Sequence, residues 1–181
     1  MVIAVKLIKF TELILNHMKK IRNPFAGLEG FYCFGCSPDN PIGLKMNFVE
    51  DGDYVKSEWE PSAHFQGYLN VLHGGIQATL MDEIASWTVY VKTRTAGVTS
   101  AIHSRFIKPV YINRGNIKLT CRLIKQEKKL ATMDVKLYNS DNVLCSESEI
   151  DYFIYPEEVA RRKLYFPGME SFYYDNQDTD N

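Results

Sequence analysis

One segment of this chain is almost free of charge and long enough to form a buried helix. Residues 75–91 read GIQATLMDEIASWTVYV, and apolar side chains would occur on most sides of a helix formed by this segment. A helix that is apolar on most sides must be covered on most sides by the rest of the fold. The sequence therefore predicts one long central helix over residues 74–93, with the other elements packed around it.

The only charges in this segment are Asp82 and Glu83, near its middle. A carboxylate in an apolar setting is destabilising unless it is paired or has a function, and burial would raise its pKa. The two neighbours point about 100° apart on a helix, so at most one needs to face the interior. One interpretation is a salt-bridged or solvent-facing pair of acids. The other is a general base or nucleophile held ready for catalysis.

Alternation of apolar and polar residues predicts strands on both sides of the helix. The expected strands cover residues 44–48, 55–59, 98–107, 116–125, 130–138 and 143–154. Turn residues at 50–53 and 139–142 join neighbouring strands as hairpins. Hairpins favour an antiparallel sheet, so the predicted fold is α+β, with the sheet wrapped around one long helix.

The 181 residues fit one domain with two flanking segments. Residues 1–24 are expected to form an amphipathic N-terminal helix that packs on the domain, with contact to a membrane surface or nucleic acid as the alternative. The domain itself spans residues 25–163. Residues 164–181 end in a polar, acidic stretch and are expected to be a mobile tail.

Composition excludes several classes of protein. A formal net charge of -1 argues against a general nucleic-acid binder, and no apolar run is long enough for a transmembrane helix. Four cysteines are too few for a disulfide framework, which favours a reduced, cytoplasmic setting. Cys33 and Cys36 have zinc-type spacing, but no second pair of ligands follows, so neither a metal nor a cofactor is predicted.

The turn before the helix is the second candidate site. The first N–H groups of a helix lack intrahelical partners, so Gly74 and Gly75 after His73 could polarise a carbonyl oxygen as an oxyanion hole does. The alternative is a simple helix cap. Gly74 and Asp82 lie about 12 Å apart along one helix. If both act on one reacting group, they must come from two subunits of a dimer.

These residues resemble a known family. HGGIQATLMDE, residues 73–83, is similar to the signature of hotdog-fold acyl-CoA thioesterases. Three further segments resemble the PaaI-like branch of that family: CFGCSPDNPIGLKMNF at 33–48, HFQGYLNVLHGG at 64–75 and GVTSAIHSRFIKPV at 97–110. The resemblance covers about residues 30–155. It implies a hotdog fold, here with an extra N-terminal helix, assembled as a homodimer or homotetramer.

The resemblance also implies catalytic roles. Asp82 falls at the family's catalytic carboxylate, which would activate water or attack the thioester itself. The Gly74 N–H would polarise the thioester carbonyl, and His73 and Gly75 would shape that turn. Thr99 falls where related enzymes position the water.

The candidates for substrate binding are more scattered. Where some relatives carry an asparagine before the HGG motif, this chain offers His64 or Gln66, and Glu83 lies beside the catalytic position. A basic cluster after the helix could contact the phosphates of coenzyme A or could be a solvated sheet edge. Its members are Arg105, Lys108 and Arg114.

The expected function is hydrolysis of an acyl-CoA thioester to free acid and CoA. The alternative is a non-catalytic module that binds acyl-CoA, and hydration of an enoyl thioester is disfavoured because its Asp/His motif is not evident. The expected partners are acyl-CoA and further copies of the chain, with neither nucleic acid nor membrane insertion.

Overall fold

The computed structural model describes residues 18–174, in which an antiparallel sheet of seven strands is wrapped around one long helix. The helices are α1 (Gly74–Thr93) and α2 (Glu157–Leu164), and short 3₁₀ helices cover Ala63–Phe65 and Met169–Phe172. The strands are β1 (Met18–Ile21), β2 (Phe48–Asp51), β3 (Tyr54–Trp59), β4 (Gln66–Tyr68), β5 (Val71–Leu72), β6 (Gly97–Phe106), β7 (Ile117–Glu127), β8 (Leu130–Tyr138) and β9 (Leu144–Ile154).

The seven strands lie in the order β1-β2-β3-β7-β8-β9-β6, and β4 and β5 form a separate two-stranded sheet. Each of the five long strands predicted from alternation, β3 and β6 to β9, is found within two residues of its predicted ends. The apolar face of β8 is buried as its sequence pattern requires. Both the α+β class and the hotdog arrangement are therefore confirmed.

Helix α1 has the predicted bounds and occupies the core. It packs against β3, β6, β7, β8 and β9. Leu80, Met81 and Ile84 are fully buried, and the Trp87 ring stacks on Phe48 at a centroid distance of 4.7 Å. The helix ends at Arg94, whose backbone adopts a left-handed conformation and donates its N–H to the Tyr90 carbonyl.

The first predicted strand, residues 44–48, is largely a loop in the structure. Leu44 and Met46 are buried, as alternation implies, but the strand begins only at Phe48. The backbone N–H groups of Leu44 and Met46 instead donate to the carbonyls of Phe34 and Gly35, at 2.7 and 2.9 Å. The segment before β2 thus holds the loop that carries Cys33 and Cys36 against the domain.

The predicted N-terminal helix is wrong over its described part. Met18–Ile21 is strand β1, paired antiparallel with β2 through Met18–Asp51 and Ile21–Phe48. Unpaired strand groups at the end of a sheet favour pairing with any nearby segment, and this tertiary pairing overrides the helical spacing of apolar residues. Residues 1–17 lie outside the described residues.

The predicted mobile tail is also wrong for residues 164–174. Phe166, Met169 and Phe172 are buried, and the Phe172 carbonyl accepts the Arg22 backbone N–H at 2.8 Å. The Tyr173 hydroxyl donates to Glu50 at 2.6 Å. Buried aromatic side chains therefore dock this segment on the domain. Residues 175–181 lie outside the described residues.

Docking of this segment predicts a measurable loss of stability when Phe172 is shortened. Phe172→Ala removes a fully buried ring that contacts Phe25, Trp87 and Tyr90. Such truncations lower the free energy of unfolding by about 3–5 kcal/mol, measurable by urea denaturation. The control is Tyr174→Ala, a half-exposed aromatic that should lower it by less than about 1 kcal/mol. Equal effects of the two variants would contradict the docked arrangement.

Candidate functional site

The turn before α1 is a built structure rather than a flexible loop. The His73 N–H donates to the Phe65 carbonyl at 2.9 Å, which ties the turn to the short helix Ala63–Phe65. His73 is the N-cap of α1, and its Nδ1 accepts the Gly75 N–H at 2.9 Å. A neutral His73 ring therefore carries its proton on Nε2. The cap proposed as the simple alternative is present, and it uses the Gly75 N–H and not that of Gly74.

Gly74 remains accessible at the mouth of a groove. A cavity of about 400 Å³ is bordered by His73, Gly74, Phe106 and Lys108. A Cβ at Gly74 would meet only the Phe106 ring, at 3.8 Å. An N–H in the first turn of a helix lacks an intrahelical acceptor and carries the positive end of the helix dipole. This groove can therefore accept a carbonyl oxygen at Gly74.

Asp82 lies halfway along α1, where two hydroxyl groups hold its side chain. The Thr99 hydroxyl donates to Asp82 Oδ1 at 2.9 Å. The Tyr152 hydroxyl lies 2.6 Å from Oδ1 and 2.8 Å from the Asp82 carbonyl oxygen, and donates between them. Burial and the Asp82 charge raise the pKa of Tyr152 well above its usual value, so this hydroxyl stays a donor. Both contacts fall on Oδ1, and Oδ2 has none of the hydrogen bonds found within residues 18–174.

Asp82 and the Gly74 turn do not meet within one chain. They are on the same straight helix, about 12 Å apart by its rise per residue. Thr99, the partner of Asp82, belongs to β6, which is the last strand of the sheet. Strand β6 exposes Val98, Ile102 and Phe106, at 42%, 42% and 54%. A long strand edge with exposed apolar side chains is typical of an interface.

Glu83 faces another side of α1 and does not join Asp82. Both of its carboxylate oxygens lie 3.6 Å from Cys33 Sγ, and Trp87 Nε1 donates to its Oε1 at 3.0 Å. Burial, together with the nearby Cys33, raises the pKa of Glu83 to about 7. A hydrogen bond between the two thiols lowers the pKa of Cys33 to about 5 and raises that of Cys36.

The basic residues predicted to bind coenzyme A are separated in space. Lys108 borders the Gly74 groove. Arg105 forms an ion pair with Glu147 at 2.9 Å and lies in a different groove on the sheet. The Arg114 guanidinium stacks over the Tyr111 ring at 4.1 Å. Of the three, only Lys108 lies beside the candidate oxyanion donor.

His64 and Gln66 lie in the segment that precedes β5. Both side chains are exposed, and Gln66 Oε1 accepts the Asn70 N–H at 3.0 Å. That contact is local and closes the turn between β4 and β5. Neither residue is in contact with Asp82 in the same chain, so a role beside Asp82 would also require the second copy.

Sequence reasoning missed two residues that support the site. Tyr152 was an ordinary strand aromatic by its pattern, yet its hydroxyl reaches Asp82. Gln77 is buried in the first turns of α1, donates to the Leu72 carbonyl and accepts the Ser146 hydroxyl at 2.6 Å. A polar residue at an apolar helix position was the available signal for Gln77. No signal in the sequence pairs Tyr152 with Asp82.

Comparison with known proteins identifies the family that this arrangement resembles. Residues 69–146 match the family model described as the thioesterase superfamily. A protein of Saccharolobus solfataricus whose name describes it as an esterase is 25% identical over 126 residues, which make up 69% of this chain and 82% of that relative.

Solved structures share the fold at low sequence identity. The PaaI protein of E. coli, from the phenylacetic acid degradation operon, superimposes with a TM-score of 0.57 at 17% identity, over 63% of this chain and 82% of PaaI. A hypothetical thioesterase of Streptococcus pneumoniae, solved with coenzyme A, gives a TM-score of 0.54 at 19% identity, over 58% of this chain and 83% of that one. The predicted resemblance to hotdog-fold thioesterases is confirmed.

Within residues 18–174, no helix is both long and apolar enough to cross a membrane.

Proposed function

We propose that this chain, which has the hotdog fold and matches the thioesterase superfamily, hydrolyses an acyl-CoA thioester to the free acid and CoA. Asp82 acts as general base or nucleophile, and the Gly74 N–H polarises the thioester carbonyl. The comparisons support thioester hydrolysis in general. The assignment of Asp82, Gly74 and coenzyme A to this chain is our proposal.

The position of Asp82 is the observation that carries the proposal. Hydroxyls of Thr99 and Tyr152 fix Oδ1, which leaves Oδ2 for a reacting molecule. As a base, Oδ2 takes a proton from water while the water oxygen attacks the thioester carbon, and the proton then passes to the departing CoA sulfur. As a nucleophile, Oδ2 attacks the thioester carbon and the C–S bond breaks, which releases CoA as a thiolate and leaves an acyl anhydride. Water then hydrolyses the anhydride to the free acid and the Asp82 carboxylate, and the proton released protonates the CoA thiolate. Both routes need a carboxylate held in one orientation.

The Gly74 turn supports the attack on the thioester carbonyl. Negative charge develops on the carbonyl oxygen when the thioester is attacked, and a preorganised N–H stabilises that charge. The His73 ring takes up the Gly75 N–H and thereby fixes the turn, so Gly74 presents its own N–H to the groove. His73 is therefore proposed as a positioning residue, which orients the turn without contacting the substrate.

The proposed site is complete only with a second copy of the chain. Since Gly74 and Asp82 are about 12 Å apart on one helix, an Asp82 from one subunit would act beside the Gly74 of the other. The exposed edge of β6, which carries Thr99, supports a dimer formed along this strand. The dimer, or a dimer of dimers, is therefore part of the proposed function.

Lys108 is our candidate for binding the phosphates of coenzyme A. Its side chain is exposed at the rim of the Gly74 groove. There the Lys108 ammonium group can bind a phosphate while it stays hydrated. Lys108→Gln should raise KM for acyl-CoA by about tenfold with little change in kcat, because the contact is equal in the ground and transition states. Arg105→Gln is the comparison in steady-state kinetics. A larger rise in KM for Arg105→Gln would indicate that the phosphates bind in the groove that contains Arg105 and Glu147 instead.

Replacement of Asp82 tests the reaction itself. Asp82→Asn keeps the size of the side chain but removes the base, so kcat should fall by about 10²–10⁴-fold. The measurement is release of free thiol from a panel of acyl-CoA substrates. Asp53→Asn, in the exposed turn between β2 and β3, is the matched control and should keep full activity.

Two outcomes would contradict this assignment. Near-normal turnover by Asp82→Asn would show that the carboxylate is not the reacting group. Tight binding of acyl-CoA by the wild-type chain without release of thiol from any substrate would favour the alternative, a non-catalytic binding module.

A mixed dimer tests whether the site is shared between subunits. Gly74→Pro removes the proposed oxyanion donor at the first helical position, where proline is tolerated, and His73 already has the extended backbone that a following proline needs. Gly74→Pro and Asp82→Asn should each be nearly inactive alone. When they are unfolded together and refolded, random pairing gives one intact site in about half of the dimers, so roughly a quarter of wild-type activity should return. No recovery of activity in verified mixed dimers would contradict a site shared between the Gly74 of one subunit and the Asp82 of the other.

A further inference from the structure

A second group of reactive side chains lies on another face of α1, and the proposed hydrolysis does not use it. Cys33 and Cys36 belong to the loop before β2, and Glu83 belongs to α1. Their ligand atoms, two sulfurs and a carboxylate oxygen, all lie within 4.8 Å of one another. Thiolate and carboxylate groups that converge in this way are the usual ligands of a metal ion.

The spacing of these atoms fits tetrahedral coordination. Metal–sulfur bonds of about 2.3 Å and metal–oxygen bonds of about 2.0–2.2 Å, at tetrahedral angles, place the sulfur and oxygen roughly 3.5 Å apart. The distance from Cys33 Sγ to each oxygen of Glu83 is 3.6 Å. An ion can therefore be placed between these groups with small side-chain movements.

The loop that carries the cysteines is held in place independently of any ion. The Ser37 N–H donates to the Cys33 carbonyl at 3.1 Å, and the Asn23 side chain donates to the Cys36 carbonyl at 3.0 Å. A Cβ at Gly35 would lie 2.2 Å from Glu83 Oε2, so only glycine lets the loop approach the carboxylate so closely. The sequence and the local hydrogen bonds thus bring both thiols to Glu83.

Within residues 18–174, no ion pair compensates the charge of this cluster. No lysine or arginine forms an ion pair with Glu83 in the described part of the chain, where its polar contacts are the Trp87 indole and the thiols. A buried carboxylate without a cation is destabilising, and a bound metal ion would supply the missing positive charge. Thiolate ligands favour zinc-type ions over magnesium or calcium, which prefer oxygen.

The cluster opens to a cavity of about 750 Å³ that contains Cys33, Cys36 and Glu83 in its wall, together with Phe31, Trp87 and Tyr90. Only three protein ligands converge, whereas a zinc-type ion takes four. The fourth position would face this cavity, where a water molecule or a small ligand could bind.

We propose that Cys33, Cys36 and Glu83 bind a divalent transition-metal ion of the zinc type, with an open fourth position facing the adjacent cavity. Both thiols bind as thiolates, and their protons pass to solvent, so no oxidant or reductant is involved. Cys121 and Cys145 take no part, since they are buried in β7 and β9. The site is independent of the proposed hydrolysis.

The test is cobalt and zinc binding by the reduced full-length chain. Addition of Co²⁺ should give a thiolate-to-cobalt charge-transfer band and the intense visible bands of tetrahedral cobalt, at one ion per chain. Zn²⁺ should displace the cobalt and raise the thermal unfolding temperature, because it binds only the folded state. Zinc binding should weaken at least 10–100-fold in each of three variants, Cys33→Ser, Cys36→Ser and Glu83→Gln. Loss of a group that only hydrogen-bonds to a metal ligand already has an effect of that size.

Cys145→Ser is the matched control, and it should keep wild-type affinity and the cobalt spectrum. Asp82→Asn should also keep them, which separates failure of this site from failure of the proposed hydrolysis. Glu83→Gln keeps the test valid if a cysteine variant does not fold. Three outcomes would overturn the proposal. The reduced protein could show no thiolate–cobalt bands, or cobalt binding could be unchanged in all three variants. The protein could also be isolated with a Cys33–Cys36 disulfide and still bind no metal after that disulfide is reduced.

Discussion

Burial of α1 is the constraint on which the rest of this structure depends. Leu80, Met81, Ile84 and Ala85 are fully buried, and removal of each large apolar side chain from water contributes about 1.5–3 kcal/mol. A helix that is apolar on most sides cannot lie on one face of a flat sheet, so the sheet must wrap around it. The same burial leaves the two charged side chains in the middle of the helix, Asp82 and Glu83, only partly exposed to solvent.

The two acids in that helix meet this constraint in different ways. Asp82 faces the end of the sheet, where Thr99 and Tyr152 supply hydroxyl donors. Glu83, about 100° further round the helix, faces the cysteine loop, where its neighbours are two thiols and an indole. Neither acid has a basic partner among the ion pairs of residues 18–174. One helix thus carries two chemically distinct carboxylates in two separate environments.

Helix geometry also limits what a single chain can do. The proposed oxyanion donor is at the start of α1 and the proposed catalytic carboxylate is in its middle, and a straight helix cannot bring them together. Strand β6 carries Thr99 along the edge of the sheet formed by residues 18–174, so one of the two residues that orient Asp82 also borders a surface on which a second copy could pack. Catalysis and assembly would therefore be linked through one strand.

The sequence by itself determined the class of fold, the bounds of α1 and the five long strands, because periodicity of apolar residues is a local property that burial enforces. Its apolar setting singled out Asp82, and the glycines at the start of the helix singled out His73 and Gly74. Thr99 was assigned only by resemblance to a known family, and its hydrogen bond to Asp82 is present in the structure. Only the tertiary structure decided that Met18–Ile21 pairs as a strand and that Phe172 docks in the core. It likewise brought Tyr152 to Asp82, which lie 70 residues apart in the sequence, and Glu83 to Cys33, 50 residues apart, and to Cys36. Such contacts depend on strand order and on how a loop folds back over a helix, and neither is encoded in the spacing of neighbouring residues.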